Sequence, residues 1–262
     1  MSRTIPFGRL GDVPVRIGPS WLVVLPVLGL ALYLGIDGST GPTWERMLLA
    51  AAGSVTLLLG VMAHEVGHAI VAVHRGIRVN RIVVFLLGGY SEIDLDGSEP
   101  RDEIVVSAAG PIASFVVAGL LWALSLFTTE AAGAQQVVRL LVVVNVWVAV
   151  FNLLPGLPLD GGRIVRAWLV SLGTPRPRAD VVTARLGMGL GALLIVATVI
   201  PAVVASAASL VMLPVGVVMI VLAVAAHPPR RRSGTLPAPP DDAPRFEPPL
   251  VAPRSGDPWT KP

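Results

Sequence analysis

The sequence predicts an all-α polytopic membrane protein, with about six transmembrane helices and a small membrane-associated β element. Of its 262 residues, 53% are hydrophobic and only 14% are charged, whereas soluble domains carry about 25% charged residues. The mean hydropathy is +0.73. Two uncharged runs, residues 17–36 and 186–226, reach or exceed the length of about 20 residues that a helix needs to cross a bilayer.

The apolar segments give the expected positions of the spans. They lie near residues 17–36, 47–73, 104–129, 140–159, 186–201 and 206–226. The last two come from one uncharged run, which as a single helix would measure roughly 60 Å, about twice the thickness of the hydrocarbon layer. We therefore expect a break at Pro201. Residues 1–227 then form the transmembrane domain, and the Pro- and Arg-rich residues 228–262 are predicted to be a disordered cytoplasmic tail.

Three shorter segments differ in character from the spans. Residues 77–87 are rich in β-branched side chains and end at Gly88 and Gly89, which predicts a short hairpin or sheet against the membrane domain. Residues 1–16 place arginines among apolar residues, which is typical of a strand or an interfacial segment. Residues 162–172 are expected to form a short amphipathic helix. Its Arg163 and Arg166 are expected on a solvated cytoplasmic face, with contacts to lipid phosphates or to substrate as the alternative.

The distribution of charge predicts the topology. If both termini face the cytoplasm, every lysine and arginine except Arg46 and Arg139 lies on that side, as the positive-inside rule requires. We therefore expect a multi-pass protein of the plasma membrane, in contact with the lipid bilayer. This topology explains the net charge of +3, so no nucleic-acid partner is expected. The sequence has no cysteine, and any zinc must be held by histidine and carboxylate.

The second predicted span contains the motif His64-Glu65-Val66-Gly67-His68. Residues four apart share one face of an α-helix, so the two histidines can bind one metal ion. The glutamate beside them is placed to take a proton from a water on the metal. Ionisable groups in an apolar span are costly, and a functional site is the default explanation. The motif predicts a zinc peptidase within the bilayer; the simpler alternative is a structural polar cluster between helices.

A hydrolytic zinc usually has three protein ligands and one open position. The best third candidate is Asp160, which follows the fourth predicted span on the cytoplasmic side. Pro155 and Pro158 break the helix before it and open space for water. The amide of Asn152 is a candidate donor to the oxyanion or to the substrate backbone, with a helix-packing hydrogen bond as the alternative. Other carboxylates that could serve as third ligand are Asp94, Glu99, Asp102 and Glu103.

The two motifs together resemble the site-2 protease family of intramembrane metalloproteases. That family carries HExxH on one span and an N-x-x-P-x-x-x-x-D-G-style motif on a later one, here residues 64–68 and 152–162. Gly88 and Gly89 resemble the family's glycine pair on a membrane-associated strand, although a simple turn is an alternative. Residues 109–111, Ala-Gly-Pro, resemble the start of its third core span. The resemblance covers the catalytic core.

The resemblance implies one zinc ion per chain, held by His64, His68 and Asp160, with Glu65 as the general base. It implies hydrolysis of peptide bonds in or near transmembrane helices of membrane-protein substrates, such as a membrane-anchored regulator, in regulated intramembrane proteolysis. The strand near the glycine pair would bind the unwound substrate by β-addition. We expect a short form of the family, without a PDZ-like or a regulatory nucleotide-binding domain. The sequence does not indicate an oligomeric state.

Two alternatives stay open at this point. A membrane metalloprotease of another HExxH class would use a different third ligand and would keep its metal after Asp160→Ala. A non-catalytic relative that binds membrane helices would keep its cellular function after Glu65→Gln. The intact set of four site residues argues against this second alternative.

Overall fold

The computed structural model describes residues 4–38, 41–85, 88–95, 97–127 and 132–204. In that part of the chain the strands are β1 (Ile5–Leu10), β2 (Val13–Ile17), β3 (Val79–Phe85) and β4 (Gly88–Ile93). The helices are α1 (Trp21–Gly35), α2 (Thr43–His74), α3 (Pro100–Ser125), α4 (Ala132–Asn152), α5 (Asp160–Ser171) and α6 (Arg176–Val204). The predicted tail lies outside the described residues. The described part of the chain is therefore mostly helical with one small sheet, as predicted.

Four helices in the described part are long and apolar enough to cross a membrane. They are α2, α3, α4 and residues 176–196 of α6. The first predicted span corresponds to α1, which has only 15 residues, fewer than the about 20 that a perpendicular crossing needs. The sixth predicted span, residues 206–226, lies outside the described residues. The chain is thus a membrane protein with four candidate spans, and six spans stay a prediction.

Two helices have boundaries that differ from those expected. Helix α4 begins at Ala132 and ends at Asn152, whereas we expected a span over residues 140–159. The segment after it forms turns because Pro155 and Pro158 lack the N–H that a helix would need. Helix α6 begins at Arg176 and continues through Pro201, where a break was expected. Membrane helices tolerate proline in this way because neighbouring groups satisfy the freed carbonyl.

The sheet has the order β1-β2-β3-β4. The predicted hairpin is present as the antiparallel pair β3–β4, and β1–β2 forms a second antiparallel hairpin. The two hairpins join because β2 pairs in parallel with β3, with Val15 opposite Ile82 and Ile17 opposite Val84. One face of the sheet buries apolar side chains against α1 and α2, since alternate residues of a strand point to the same face. The sheet therefore lies against the helix that carries the two histidines.

Small residues bring α3 close to α2. A Cβ atom added to Gly67 would lie 2.8 Å from the carbonyl oxygen of Ala109 and 2.8 Å from the Cβ of Ala113. Only glycine fits such a contact, and close approach of backbones through small residues is a common way of packing membrane helices. Helix α3 begins with Pro100, followed by Asp102 and Glu103 in the first turn, which suits the positive end of a helix dipole. The side of α3 that faces α2 is consequently next to His64 and His68.

Candidate metal centre

His64 and His68 lie on the same face of α2, one helical turn apart. Their Nε2 atoms are 3.3 Å apart, as expected for residues at i and i+4. Both side chains are buried, with 5% and 7% of their surfaces exposed. The motif helix therefore presents two imidazole nitrogens to one point inside the protein.

Asp160, the first residue of α5, completes the group. Its Oδ2 lies 3.2 Å from Nε2 of His64 and 3.2 Å from Nε2 of His68. In a tetrahedral zinc site with bonds of about 2.0–2.1 Å, ligand atoms are separated by about 3.3 Å. The triangle formed by the two nitrogens and the oxygen has these dimensions, so the residues fit a zinc ion without rearrangement. In the described part of the chain, this is the one group of three such side chains that could hold a metal ion.

The environment of Asp160 keeps its carboxyl group ionised. Burial opposes ionisation, but the imidazole groups of His64 and His68 beside the carboxyl group outweigh it, and the pKa of Asp160 lies below its usual value. Its place in the first turn of α5 adds the favourable field of a helix N-terminus. A carboxylate that is already anionic is ready to act as a metal ligand.

Helix α3 orients both imidazole rings through contacts with their Nδ1 atoms. Nδ1 of His68 lies 2.7 Å from the carbonyl oxygen of Val106, and since a carbonyl only accepts, Nδ1 donates and Nε2 carries the free lone pair. Nδ1 of His64 lies 2.9 Å from Oγ of Ser114 and can donate to it in the same way. Such outer partners fix the tautomer and the ring angle of a ligating histidine. Neither partner could be predicted from the sequence, because nothing in the local spacing reveals which helix packs against the motif.

Gly110 leaves space beside the Nε2 atoms of the two histidines. A Cβ atom at this position would lie 2.7 Å from Nε2 of His64 and closer still to Nε2 of His68. Any other residue would push against the two atoms that would bind the metal. The Ala-Gly-Pro sequence that resembled the start of a core span therefore has a steric role beside the candidate metal position.

Glu65 is buried next to the histidines, with 6% of its surface exposed, and it contacts the sheet. Oγ of Ser91 in β4 lies 3.0 Å from Oε2 of Glu65 and 3.1 Å from its backbone carbonyl oxygen. The hydroxyl donates to one or the other, which ties the strand to the carboxylate. Ser91 was also missed from the sequence, where a serine in an acidic segment after two glycines carries no signal of its own.

The three substrate-binding candidates lie in two elements, strand β4 and helix α4. Gly88 and Gly89 begin β4, where they pair with Phe85 and Val84, so they belong to a strand and not to a simple turn. Strand β4 is at one edge of the sheet. Asn152 is the last residue of α4, and its amide donates to the carbonyl oxygen of Val148 at 2.8 Å. One of its two N–H groups is therefore used within the helix.

Two of the alternative third ligands are engaged elsewhere. Asp102 forms an ion pair of 2.8 Å with Arg75. Glu103 accepts hydrogen bonds from Arg166. These two carboxylates are paired with arginine, and in the described part of the chain Asp160 is the carboxylate that lies together with the two histidines.

Comparison with known proteins agrees with this arrangement. The model of peptidase family M50 matches residues 52–131 and 127–196, which include both motifs. A candidate zinc metalloprotease of Synechocystis sp. is 32% identical over 200 residues, covering 73% of this chain and 51% of the relative. The chain belongs to peptidase family M50. A second relative, the candidate zinc metalloprotease Rip3 of Mycobacterium tuberculosis, is 34% identical over 200 residues, covering 74% of this chain and 51% of Rip3.

A solved structure of similar fold supports the M50 assignment at the level of architecture. The site-2 protease from Methanocaldococcus jannaschii superposes with a TM-score of 0.60 and 21% sequence identity, covering 86% of this chain and 95% of that protein. The chain spans about half the length of the curated M50 relatives that it matches.

Proposed function

We propose that this M50 member is an intramembrane zinc endopeptidase, with one zinc per chain held by His64, His68 and Asp160. The observation that carries the proposal is the triangle of Nε2, Nε2 and Oδ2 atoms 3.2–3.3 Å apart, whose two histidines belong to a helix long and apolar enough to span a membrane. Ionisable groups in such a helix mark functional sites. The names of the curated relatives, which are zinc metalloproteases, support the same activity.

Glu65 is the proposed general base. Bound zinc supplies Lewis acidity, which polarises the scissile carbonyl group and makes water a better nucleophile. Glu65 takes the proton of the attacking water and passes it to the leaving amine. Its contact with Ser91 holds the carboxylate in one orientation during these transfers.

The proposed substrate is a transmembrane segment of another protein, such as a membrane-anchored regulator that is released by regulated intramembrane proteolysis. The two histidines and Glu65 are buried in α2, which is a candidate membrane span. This position favours cleavage of a peptide bond that approaches the site from within the bilayer. A helical substrate must unwind first, because its backbone groups are otherwise used internally. The edge strand β4 at Gly88 and Gly89 offers partners for the freed groups by β-addition. Asn152 is proposed to bind the substrate backbone with its second N–H.

The proposed location is the plasma membrane, with both termini in the cytoplasm. In the described part, the arginines of the sheet, of α5 and of the start of α6 then share the cytoplasmic side, while Arg46 and Arg139 lie on the other side. This agrees with the positive-inside rule. Asp160 begins a helix on that cytoplasmic side, so water would reach the site from the cytoplasm.

Metal content tests the proposal. Elemental analysis of detergent-purified wild type should give about one zinc per chain, and Asp160→Ala should lose it. Asp102→Ala is the matched control, since it removes a carboxylate that could have been the third ligand but is paired with Arg75. Zinc retained in Asp160→Ala and lost in Asp102→Ala would contradict the ligand set. Glu65→Gln should keep zinc but fail to cleave a single-span reporter protein in liposomes.

A further inference from the structure

Glu103, in the first turn of α3, carries a carboxylate that is almost fully buried. Only 1% of its surface is exposed. Its Oε1 accepts a hydrogen bond of 2.7 Å from Nε of Arg166 and a second one from Nη2 of the same guanidinium. Nη2 of Arg176 lies 3.9 Å from its Oε2. A buried carboxylate is very costly without partners, so the position of Glu103 depends on arginines from α5 and α6.

Arg166 joins three helices through one guanidinium group. Besides Glu103 in α3, it donates from Nη1 to Oδ1 of Asp180 in α6 at 3.2 Å. Burial opposes its charge, but Glu103 and Asp180 more than compensate, and the pKa of Arg166 is raised above its usual value. The planar fork of arginine holds its partners in fixed directions, which a lysine could not do. The sequence had suggested a solvated cytoplasmic face for this residue, and the structure corrects that expectation.

The ion pair joins the helix that contacts the two histidines to the helix that begins with Asp160. Helix α3 contacts the Nδ1 atoms of both histidines, through Val106 and Ser114. Helix α5 begins at Asp160 and carries Arg166 six residues later, about 9 Å along the helix axis. The angle between α3 and α5 therefore sets the distance from Asp160 to the histidines. The segment before α5 is made of turns, and its backbone is attached to α6 through Leu157 N–H and the carbonyl of Thr183 at 3.1 Å.

We propose that Glu103 and Arg166 are positioning residues of the metal centre. Their ion pair holds α5 against α3 so that Oδ2 of Asp160 stays 3.2 Å from Nε2 of both histidines. Neither residue touches the metal or the substrate, and their effect on zinc acts through Asp160. This inference rests on the proposed ligand set.

The test compares metal binding by variants of the full chain in detergent. The dissociation constant for zinc is measured by competition with a chromophoric chelator, and cobalt(II) absorption reports the ligand geometry. Arg166→Met should weaken zinc binding about 10- to 100-fold, as loss of an outer partner does, and should change the cobalt spectrum. Arg166→Lys, which keeps the charge without the fork, should give an intermediate value. Arg163→Met removes the same charge from the same helix and should leave both measurements unchanged.

Two further variants distinguish a wrong ligand set from a wrong positioning role. Asp160→Ala is measured alongside: if it binds zinc as wild type does, the ligand set is wrong. If it loses zinc while a folded Arg166→Met binds zinc and cobalt as wild type does, the positioning role alone is wrong. Because Arg166→Met leaves a buried carboxylate unpaired, Glu103→Met/Arg166→Met replaces the pair with apolar groups that preserve folding more often. Weak zinc binding by this double variant with a cooperative thermal melt supports the proposal, and wild-type affinity overturns it.

Discussion

The hydroxyl group of Ser91 lies 3.0 Å from a carboxylate oxygen of Glu65. This contact joins the edge strand of the sheet to the helix that carries both histidines. Strand β4 is also the proposed docking strand for an unwound substrate. The side chain of Ser91 therefore connects the proposed substrate strand with the proposed general base, Glu65. The position of Glu65 is consequently sensitive to any movement of β4.

Ser91→Ala should lower kcat about tenfold and leave KM and zinc content unchanged. A hydrogen bond to a charged group contributes about 1.5–3 kcal/mol, and about 1.4 kcal/mol corresponds to tenfold in rate. Ser91→Thr keeps the hydroxyl and suits a strand, so it should retain most of the activity. Steady-state kinetics on a single-span reporter in liposomes measures both constants. A rise in KM alone, or loss of zinc, would show that Ser91 only attaches the sheet to α2.

Gly110→Ala should abolish zinc binding in a protein that still folds. The added methyl group would lie 2.7 Å from Nε2 of His64, well inside the contact distance of these atoms, so at least one imidazole must move. Gly119→Ala is the control on the same helix, because its added methyl group meets no atom within 4 Å. That control should bind zinc normally and gain about 0.4–1 kcal/mol of stability. Elemental analysis and thermal melts check both variants, and normal zinc content in Gly110→Ala would contradict the close approach of α3.

Ser114→Ala should weaken zinc binding at least tenfold without displacing the zinc completely. The variant removes the partner of Nδ1 of His64, and outer partners of ligating histidines contribute about 10- to 100-fold to affinity. Ser54→Ala is a suitable control, since Ser54 is an equally buried serine whose hydroxyl donates to the carbonyl of Ala50 in its own helix. Chelator competition gives the two dissociation constants. Equal affinities would mean that the ring of His64 is held by its packing alone.

The parts of the site that follow from helix periodicity could be predicted from the sequence. The pairing of His64 with His68 needs only the i to i+4 spacing, and Asp160 was chosen from its place after an uncharged span. The partners contributed by α3 could not be predicted, because Ser114 and Gly110 become neighbours of α2 only through the close contact at Gly67. Local sequence patterns predict which residues share one face of a helix, but not which helix packs against that face.

The fold, too, could be predicted where a local sequence pattern exists and could not be predicted where distant segments meet. The hairpin β3–β4 was expected from β-branched residues before a glycine pair. Its parallel pairing with the N-terminal hairpin joins residues 67 positions apart, such as Val15 and Ile82, and leaves no local pattern. Helix α4 ends at Asn152. The two prolines of the next segment predict this boundary better than the hydropathy does. Arg166 was interpreted as solvated because hydropathy cannot reveal that a buried carboxylate on another helix pairs with it.

Zinc should stabilise the folded chain, and this effect should depend on Asp160. A ligand that binds only the folded state at about 100 times its dissociation constant adds about 2.7 kcal/mol to the free energy of unfolding. The thermal midpoint of wild type in detergent should therefore fall after treatment with a chelator and recover when zinc is added back. Asp160→Ala should show neither change, because two histidines alone bind zinc weakly. Asp102→Ala should behave as wild type, since the carboxylate it removes is bound to Arg75. A zinc-dependent midpoint in Asp160→Ala would place the stabilising metal at another site.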